Sequence, residues 1–276
     1  MKRVETKPRI ERGMSFKDYL ADTACSRSDL LAMIQSPAHC IDAKVNKTDP
    51  TKSMKLGTLL HSCILEPESV KKNYCFAPDV DRRTKEGKAE YAEFLRWNKK
   101  KIVVPYEHLE IARHVVRAVE HNEFAQSLLR AKGSSEVSIF WTDAETGVRC
   151  KIRPDRWRAD GIAVDVKSTQ DASPEAFAKD IYKYFYHVQA AFYVDGIAAT
   201  GDTPRAFVFQ ACETVSPFGI AHYVLDNESM DLGRSVYRKL LATYADCSKS
   251  GQWPSYPEAI VPLSLPRYAF STPKEV

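Results

Sequence analysis

Apolar residues recur at helical spacing through the first half of the chain and alternate with polar ones through much of the second. Ser26, with Asp29 three residues on, opens a helix through "RSDLLAMIQ" in the manner of a capping box. Ser36-Pro37 starts another in "SPAHCIDAK", with Ser as cap and Pro at the first helical position. In "KLGTLLHSCILE" the residues Leu56, Leu59, Leu60, Cys63 and Ile64 share one helical face, and Pro67 ends that helix. Two further helical stretches cover roughly 84–100 and 106–131. The period changes at Gly133. "EVSIFWTD" and "GVRCKIRPDRW" read as strands of a hairpin turning at "AETG", and Asp160-Gly161 makes a tight turn into the strand "IAVDVKS". Ser173-Pro174 opens a helical region that runs to about Ala199 and breaks near Tyr184–His187. The strands "RAFVFQAC" and "FGIAHYVLD" follow, then a helix from about Asn227 to Lys249.

This order, helices and then β-β-β-α-β-β-α, predicts an α/β fold with a central sheet and a mainly helical N-terminal part. We read a single domain over 1–276: helical from 1 to 132 behind a flexible lead at 1–13, an α/β core over 133–250, and a tail over 251–276. Hydrophobic residues at 44% and charged residues at 28% of 276 are ordinary for a globular chain with a full core. No apolar run approaches a membrane span, and "MKRVETKPRIERG" lacks the apolar segment of a signal peptide. Seven cysteines lie dispersed with no C-x-x-C pair, which argues for reduced thiols in a cytosol and against a disulfide framework or an iron–sulfur cluster. A net charge of +4 permits nucleic-acid binding without demanding it.

The candidate chemistry centres on "VDVKST". Side chains of a strand alternate, so Asp165 and Lys167 point to one face, about 7 Å apart along the chain. Asp155 follows Pro154 ten residues before Asp165, where the end of one strand comes beside the middle of the next. Two carboxylates converging there repel unless a cation lies between them, and hard oxygen ligands favour Mg²⁺ or Mn²⁺. A surface hairpin carrying salt bridges explains the same residues equally well. Glu136, at the start of the first core strand, can reach this corner, although a solvated glutamate at a strand end is the simpler account of it. His61 shares a helix face with Gly57, and a glycine inside a helix costs about 1 kcal/mol against alanine, which suggests close packing there; a lone helical histidine is more often an ordinary core or surface residue. Gln189 and Tyr193 lie four apart on one helix face, with Tyr186 a turn earlier in an aromatic run that equally reads as core.

In these segments the chain resembles the PD-(D/E)xK nuclease superfamily, and more closely its RecE-like branch of phage and prophage exonucleases (exodeoxyribonuclease VIII type). The likeness rests on "SRSDLLAMIQSPAHCIDAK", "MKLGTLLHSCILEP", "RPDRW", "VDVKST", "HVQAAFYVDG" and "YRKLLATYADCSKSGQWPSY", in that order. It implies a restriction-endonuclease-like core in which His61, Asp155, Asp165 and the Val166 carbonyl bind divalent metal. It further implies that Lys167 is the catalytic lysine, that Gln189 and Tyr193 support the site, and that Glu136 helps hold a second ion. The implied activity is Mg²⁺-dependent digestion of one strand of linear duplex DNA from its 5′ end, leaving 3′ single-stranded tails for recombination by strand annealing. Mn²⁺ would substitute for Mg²⁺, with no iron–sulfur cluster. A ring of three or four subunits, a single-strand annealing protein as partner and the cytoplasm of a bacterial host come with the resemblance. Arg153 and Arg27 are candidate phosphate contacts, together with the charged stretch 82–101. An endonuclease using the same corner, or a DNA-binding protein with a decayed site, are the alternatives.

Overall fold

The computed structural model describes residues 7–46 and 49–270, with 268 and 269 as backbone only. A short strand β1 (Arg9–Glu11) leads into α1 (Phe16–Ala21), α2 (Arg27–Gln35), α3 (Pro37–Val45), α4 (Lys52–Leu65) and α5 (Pro67–Asn73). Then come β2 (Tyr74–Phe76), α6 (Lys85–Trp97), β3 (Ile102–Val104), α7 (Tyr106–His121) and α8 (Glu123–Arg130). The second half holds β4 (Gly133–Ser135), β5 (Ser138–Thr142), β6 (Arg149–Ile152), β7 (Arg156–Arg158) and β8 (Ile162–Thr169). It closes with α9 (Pro174–Lys183), α10 (Tyr186–Ala198), β9 (Ala206–Glu213), β10 (Ile220–Val224) and α11 (Asn227–Ser250). The fold is mixed α/β, as the sequence predicts.

The central sheet has the order β10-β9-β8-β7-β4, with β8 and β9 parallel and the other neighbours antiparallel. Alternation along β8 divides its side chains between two helical layers. Ala163 shares a core with Phe207 and Phe209 of β9 and with Val188 and Phe192 of α10 and Tyr237 and Leu241 of α11. Val166 packs with Leu59 and Leu60 of α4 and Val115 and Val119 of α7, and Val164 with Leu128 of α8. Burying both faces of a parallel pair is what its nearly continuous apolar run requires. Asp165 and Lys167 therefore enter the α10 layer, while the intervening valines anchor the α4 layer.

Several expectations change in the structure. Strand "GVRCKIRPDRW" is two strands in two sheets: β6 pairs with β5 and β7 with β8, and the chain crosses between sheets at Pro154-Asp155. Glu136 makes the matching crossover between β4 and β5 with φ 53°, and its N–H donates to the Asp155 carbonyl at 3.0 Å. The helix expected over 106–131 breaks at Asn122, whose side chain caps α8 by accepting from Ala125 N–H. Pro67 ends α4 but also occupies the first turn of α5. Of the lead at 1–13, residues 9–11 pair with β5, Arg9 opposite Phe140; residues 1–6 lie outside the described part. The parallel pair β2–β3 had no expectation at all. The predicted break near Tyr184–His187 is present, with Phe185 at φ 55° between α9 and α10.

Candidate metal centre

The crossover corner gathers three potential ligands from three elements. Nitrogen or oxygen atoms of His61 (α4), Glu136 and Asp155 all lie within 4.8 Å of one another. His61 Nδ1 is 3.2 Å from Asp155 Oδ2, and Val166 N–H donates to that same oxygen at 2.7 Å. The N–H and C=O of a strand residue leave by the same edge, so the Val166 carbonyl also faces this corner. Arg153 holds Glu136 from behind through Nε to Oε2 at 2.6 Å, and its Nη1 donates to Ser138 Oγ at 2.9 Å and the Met14 carbonyl at 3.0 Å. With its side chain 8% exposed, Arg153 is a strut beneath Glu136. Its Nε and Nη1 donate to protein acceptors, a structural duty held in addition to the phosphate contact expected of it from sequence.

Asp165 lies beside this triad and is buried to 1% exposure. Its Oδ1 accepts from Gln189 Nε2 at 2.5 Å and its Oδ2 is paired with the Lys167 ammonium. The Lys167 nitrogen sits 4.6 Å above the Tyr186 ring, and the Arg27 guanidinium lies 5.8 Å from the same ring. Arg27 Nη2 donates to the Tyr184 carbonyl at 2.5 Å, so the left-handed turn at Phe185 fixes both the arginine and the aromatic platform. Tyr193 packs edge-on against Phe207 at 5.9 Å and is hydrogen-bonded to the Arg153 backbone. The platform role of Tyr186 was not assigned from sequence; the aromatic run "IYKYFYHVQ" was its only signal. Gly57 makes no unusually close contact. A Cβ there would meet nothing nearer than Ser168 Oγ at 3.6 Å, so its place in α4 is not set by crowding.

The charges strain against one another. Burial and the Asp155 carboxylate push Glu136 up to about 7, against the pull of Arg153. Burial pulls the other way on His61, but Asp155 outweighs it and lifts the imidazole to about 9. Burial raises Asp155 too, yet His61 and Lys167 leave it below the usual carboxylate range. Asp165 ends above that range, because burial and then the Asp155 charge exceed what Lys167 returns. Glu136 and Asp155 are thus like charges held within 4.8 Å of each other with the His61 imidazole beside them. This donor set, carboxylate oxygens with one imidazole and a main-chain carbonyl, fits a hard divalent cation such as Mg²⁺ or Mn²⁺. Among the described residues this is the one such group of ligands, and all seven cysteines are free thiols.

Residues 26–262 match the family described as a PDDEXK-like domain of unknown function, DUF3799. No curated protein matches the chain. Among solved structures it is similar to that of a candidate exonuclease from Eubacterium rectale, with a TM-score of 0.60 and 10% identity over 95% of this chain and 100% of that one. That likeness is one of fold. The structure of SSO0001, with a TM-score of 0.29 and 14% identity over 66% of this chain and 85% of the other, is too distant to inform the site.

Proposed function

Because the chain belongs to the PDDEXK-like domain family, we propose that it is a metal-dependent nuclease that digests one strand of linear duplex DNA from the 5′ end. The observation that carries the nuclease reading is the convergence of His61, Glu136 and Asp155 beside the Asp165–Lys167 pair. The 5′ polarity rests on the likeness to the RecE-like branch alone; the description of the Eubacterium rectale protein names an exonuclease and supports end-dependent digestion.

In this reading His61, Glu136, Asp155 and the Val166 carbonyl hold the metal, with Asp165 at its flank. A divalent ion so held supplies a bound water of lowered pKa and charge stabilisation at a phosphate oxygen. The chain's own residues do the rest. Lys167, held as an ammonium between the Asp165 carboxylate and the Tyr186 face, would orient the attacking water by donating a hydrogen bond to its oxygen. Gln189 locks Asp165 in one rotamer, and Arg153 does the same for Glu136. Cleavage leaves a 5′-phosphate and, after many cycles, a 3′ single-stranded tail suited to recombination by annealing. A ring of three or four copies, a single-strand annealing partner and the cytoplasm of a bacterial host complete the proposal.

The test is digestion of a 5′-phosphorylated linear duplex beside a covalently closed circle, with Mg²⁺, by the wild type and Lys167→Ala. Loss of the linear DNA from its 5′ ends, an intact circle and an inactive variant support the proposal. Cutting of the circle transfers the reading to an endonuclease. If neither DNA is cut with Mg²⁺ or Mn²⁺, the nuclease reading fails. Sedimentation of the intact chain at working concentration checks the ring: a single monomeric species removes it.

A further inference from the structure

The edge of the central sheet carries a second feature that the metal centre does not use. Where β4 and β7 end away from the Glu136–Asp155 corner, a cavity of about 210 Å³ opens, lined by Arg12, Lys132, Ser134, Arg158 and Asp202 among others. Its lining holds three cations, Arg12, Lys132 and Arg158, against the single carboxylate of Asp202, so positive charge predominates. Arg158 is paired with Asp160 through two hydrogen bonds of 3.0 and 2.6 Å. Arg12 and Lys132 are exposed, and neither has a carboxylate partner among the described residues. Arg12 Nε donates only to Ser134 Oγ, at 3.3 Å, which leaves the serine hydroxyl proton free to be donated in turn. One residue before β7, Asp155 is a candidate metal ligand; one residue after β4, Glu136 is another. The β4–β7 ladder from Ser135 opposite Arg156 to Gly133 opposite Arg158 connects the two places. Three strand residues span about 10 Å.

We infer that this groove is a second phosphate subsite, which holds the backbone of the cleaved DNA strand beyond its scissile phosphate. The inference rests on the nuclease reading for the identity of the strand, and on the charge distribution for the groove itself. Two cations without a carboxylate partner among the described residues and a hydroxyl lining one cavity are the donors that phosphodiester oxygens accept from, and such contacts position a strand without reading its bases. β4 is the outermost strand of the sheet, so nothing from the sheet itself covers that side. Gly133 belongs to the same wall for a steric reason: a Cβ there would come 2.4 Å from the Trp157 carbonyl. Arg158, by contrast, is committed to Asp160 and reaches the Ser127 carbonyl near the end of α8, so its first duty is structural.

The experiment compares the wild type, the Arg12→Gln/Lys132→Gln double variant and Lys167→Ala. Each is titrated onto a fluorescein-labelled single-stranded oligonucleotide with Ca²⁺ across a range of salt concentrations, then assayed for cleavage with Mg²⁺. Both substituted side chains are exposed, so the double variant is expected to keep the wild-type melting temperature. Each lost phosphate contact lowers the slope of log affinity against log salt by roughly 0.7, or about 1.4 for the pair. That shallower slope, with Lys167→Ala binding as the wild type does but failing to cut, supports the groove. An unchanged slope and affinity in the double variant overturns it, whether or not the wild type cuts DNA. If the variant loses slope while the wild type cuts nothing, the groove stands as a DNA-binding feature and the nuclease reading falls separately.

Discussion

At the scale of single residues, the corner is a set of groups each held in a state it would not choose alone. His61 is cationic up to about pH 9 because Asp155 faces it, and Glu136 carries its proton up to about 7 for burial and the same carboxylate. A metal entering the corner displaces those protons, since only neutral imidazole and ionised carboxylate ligate. Mn²⁺ affinity is therefore expected to rise with pH from 6 to 9, by about tenfold per unit for each proton displaced, and to level off above 9. Calorimetric titrations in buffers of different ionisation enthalpy read the protons directly; a pH-independent affinity would show that His61 and Glu136 are not ligands. A second expectation concerns Gln189. Its replacement by Leu leaves Asp165 Oδ1 buried without its donor, which costs on the order of 1–3 kcal/mol and frees the carboxylate to turn. Chemical denaturation measures the first effect and a fall in turnover the second. That Asp165 and Lys167 share a strand face was legible from alternation, which is local; the Pro-Asp spacing pointed to Asp155 beside them, but what brings it there is the crossover between sheets and the pairing of β7 with β8. The burial of Arg153 was not legible: it depends on Met14 and Ser138, which reach it from 139 and 15 residues away.

Between elements, close approach decides which glycines matter. Gly233 of α11 meets α10 so tightly that a Cβ would lie 2.2 Å from the His187 carbonyl oxygen, which is backbone and cannot yield. Gly233→Ala is therefore expected to push the two helices apart, destabilise by roughly 1–3 kcal/mol and lower activity, because α10 carries Gln189 and Tyr186. Gly57→Ala makes the contrast. With nothing nearer than 3.6 Å, the added methyl gains helix propensity worth up to about 1 kcal/mol and raises the melting temperature. Thermal melts of the two variants should move in opposite directions; a destabilised Gly57→Ala would mean that α4 lies closer to β8 than its contacts indicate. The sequence suggested close packing at Gly57 and was silent on Gly233, since a helix-interior glycine does not reveal which neighbour, if any, needs the space. Long elements with caps were readable: α2 begins at a capping box and α3 at Ser-Pro, as their residues require. The short strands β1, β2 and β3 were not, because they are too short for alternation to stand out and exist only through pairing with distant segments.

Across the whole molecule, the corner joins the parts that the sequence presents as separate. His61 arrives on a helix of the N-terminal part, while Glu136 and Asp155 stand where the chain passes between the three-stranded and five-stranded sheets. An ion bound by all three cross-links α4 to both sheets, so its binding free energy belongs to the folded state as a whole. At a free metal concentration of 100 times the dissociation constant, that linkage is worth about 2.7 kcal/mol. For a chain of this length it corresponds to a rise in melting temperature on the order of 5 °C. The rise should vanish in Asp155→Asn, which keeps the shape of the side chain but not its charge. It should persist in Lys167→Ala, where Asp165 is released from its ammonium partner and can turn towards the ion. A lysine variant that melts higher with metal yet cleaves nothing would separate holding the ion from using it, and would assign those tasks to different residues of one corner. If Asp155→Asn shows the full rise, the ion is held elsewhere, and the convergence of His61 and Glu136 on Asp155 is an ion-pair network joining two sheets rather than a metal centre.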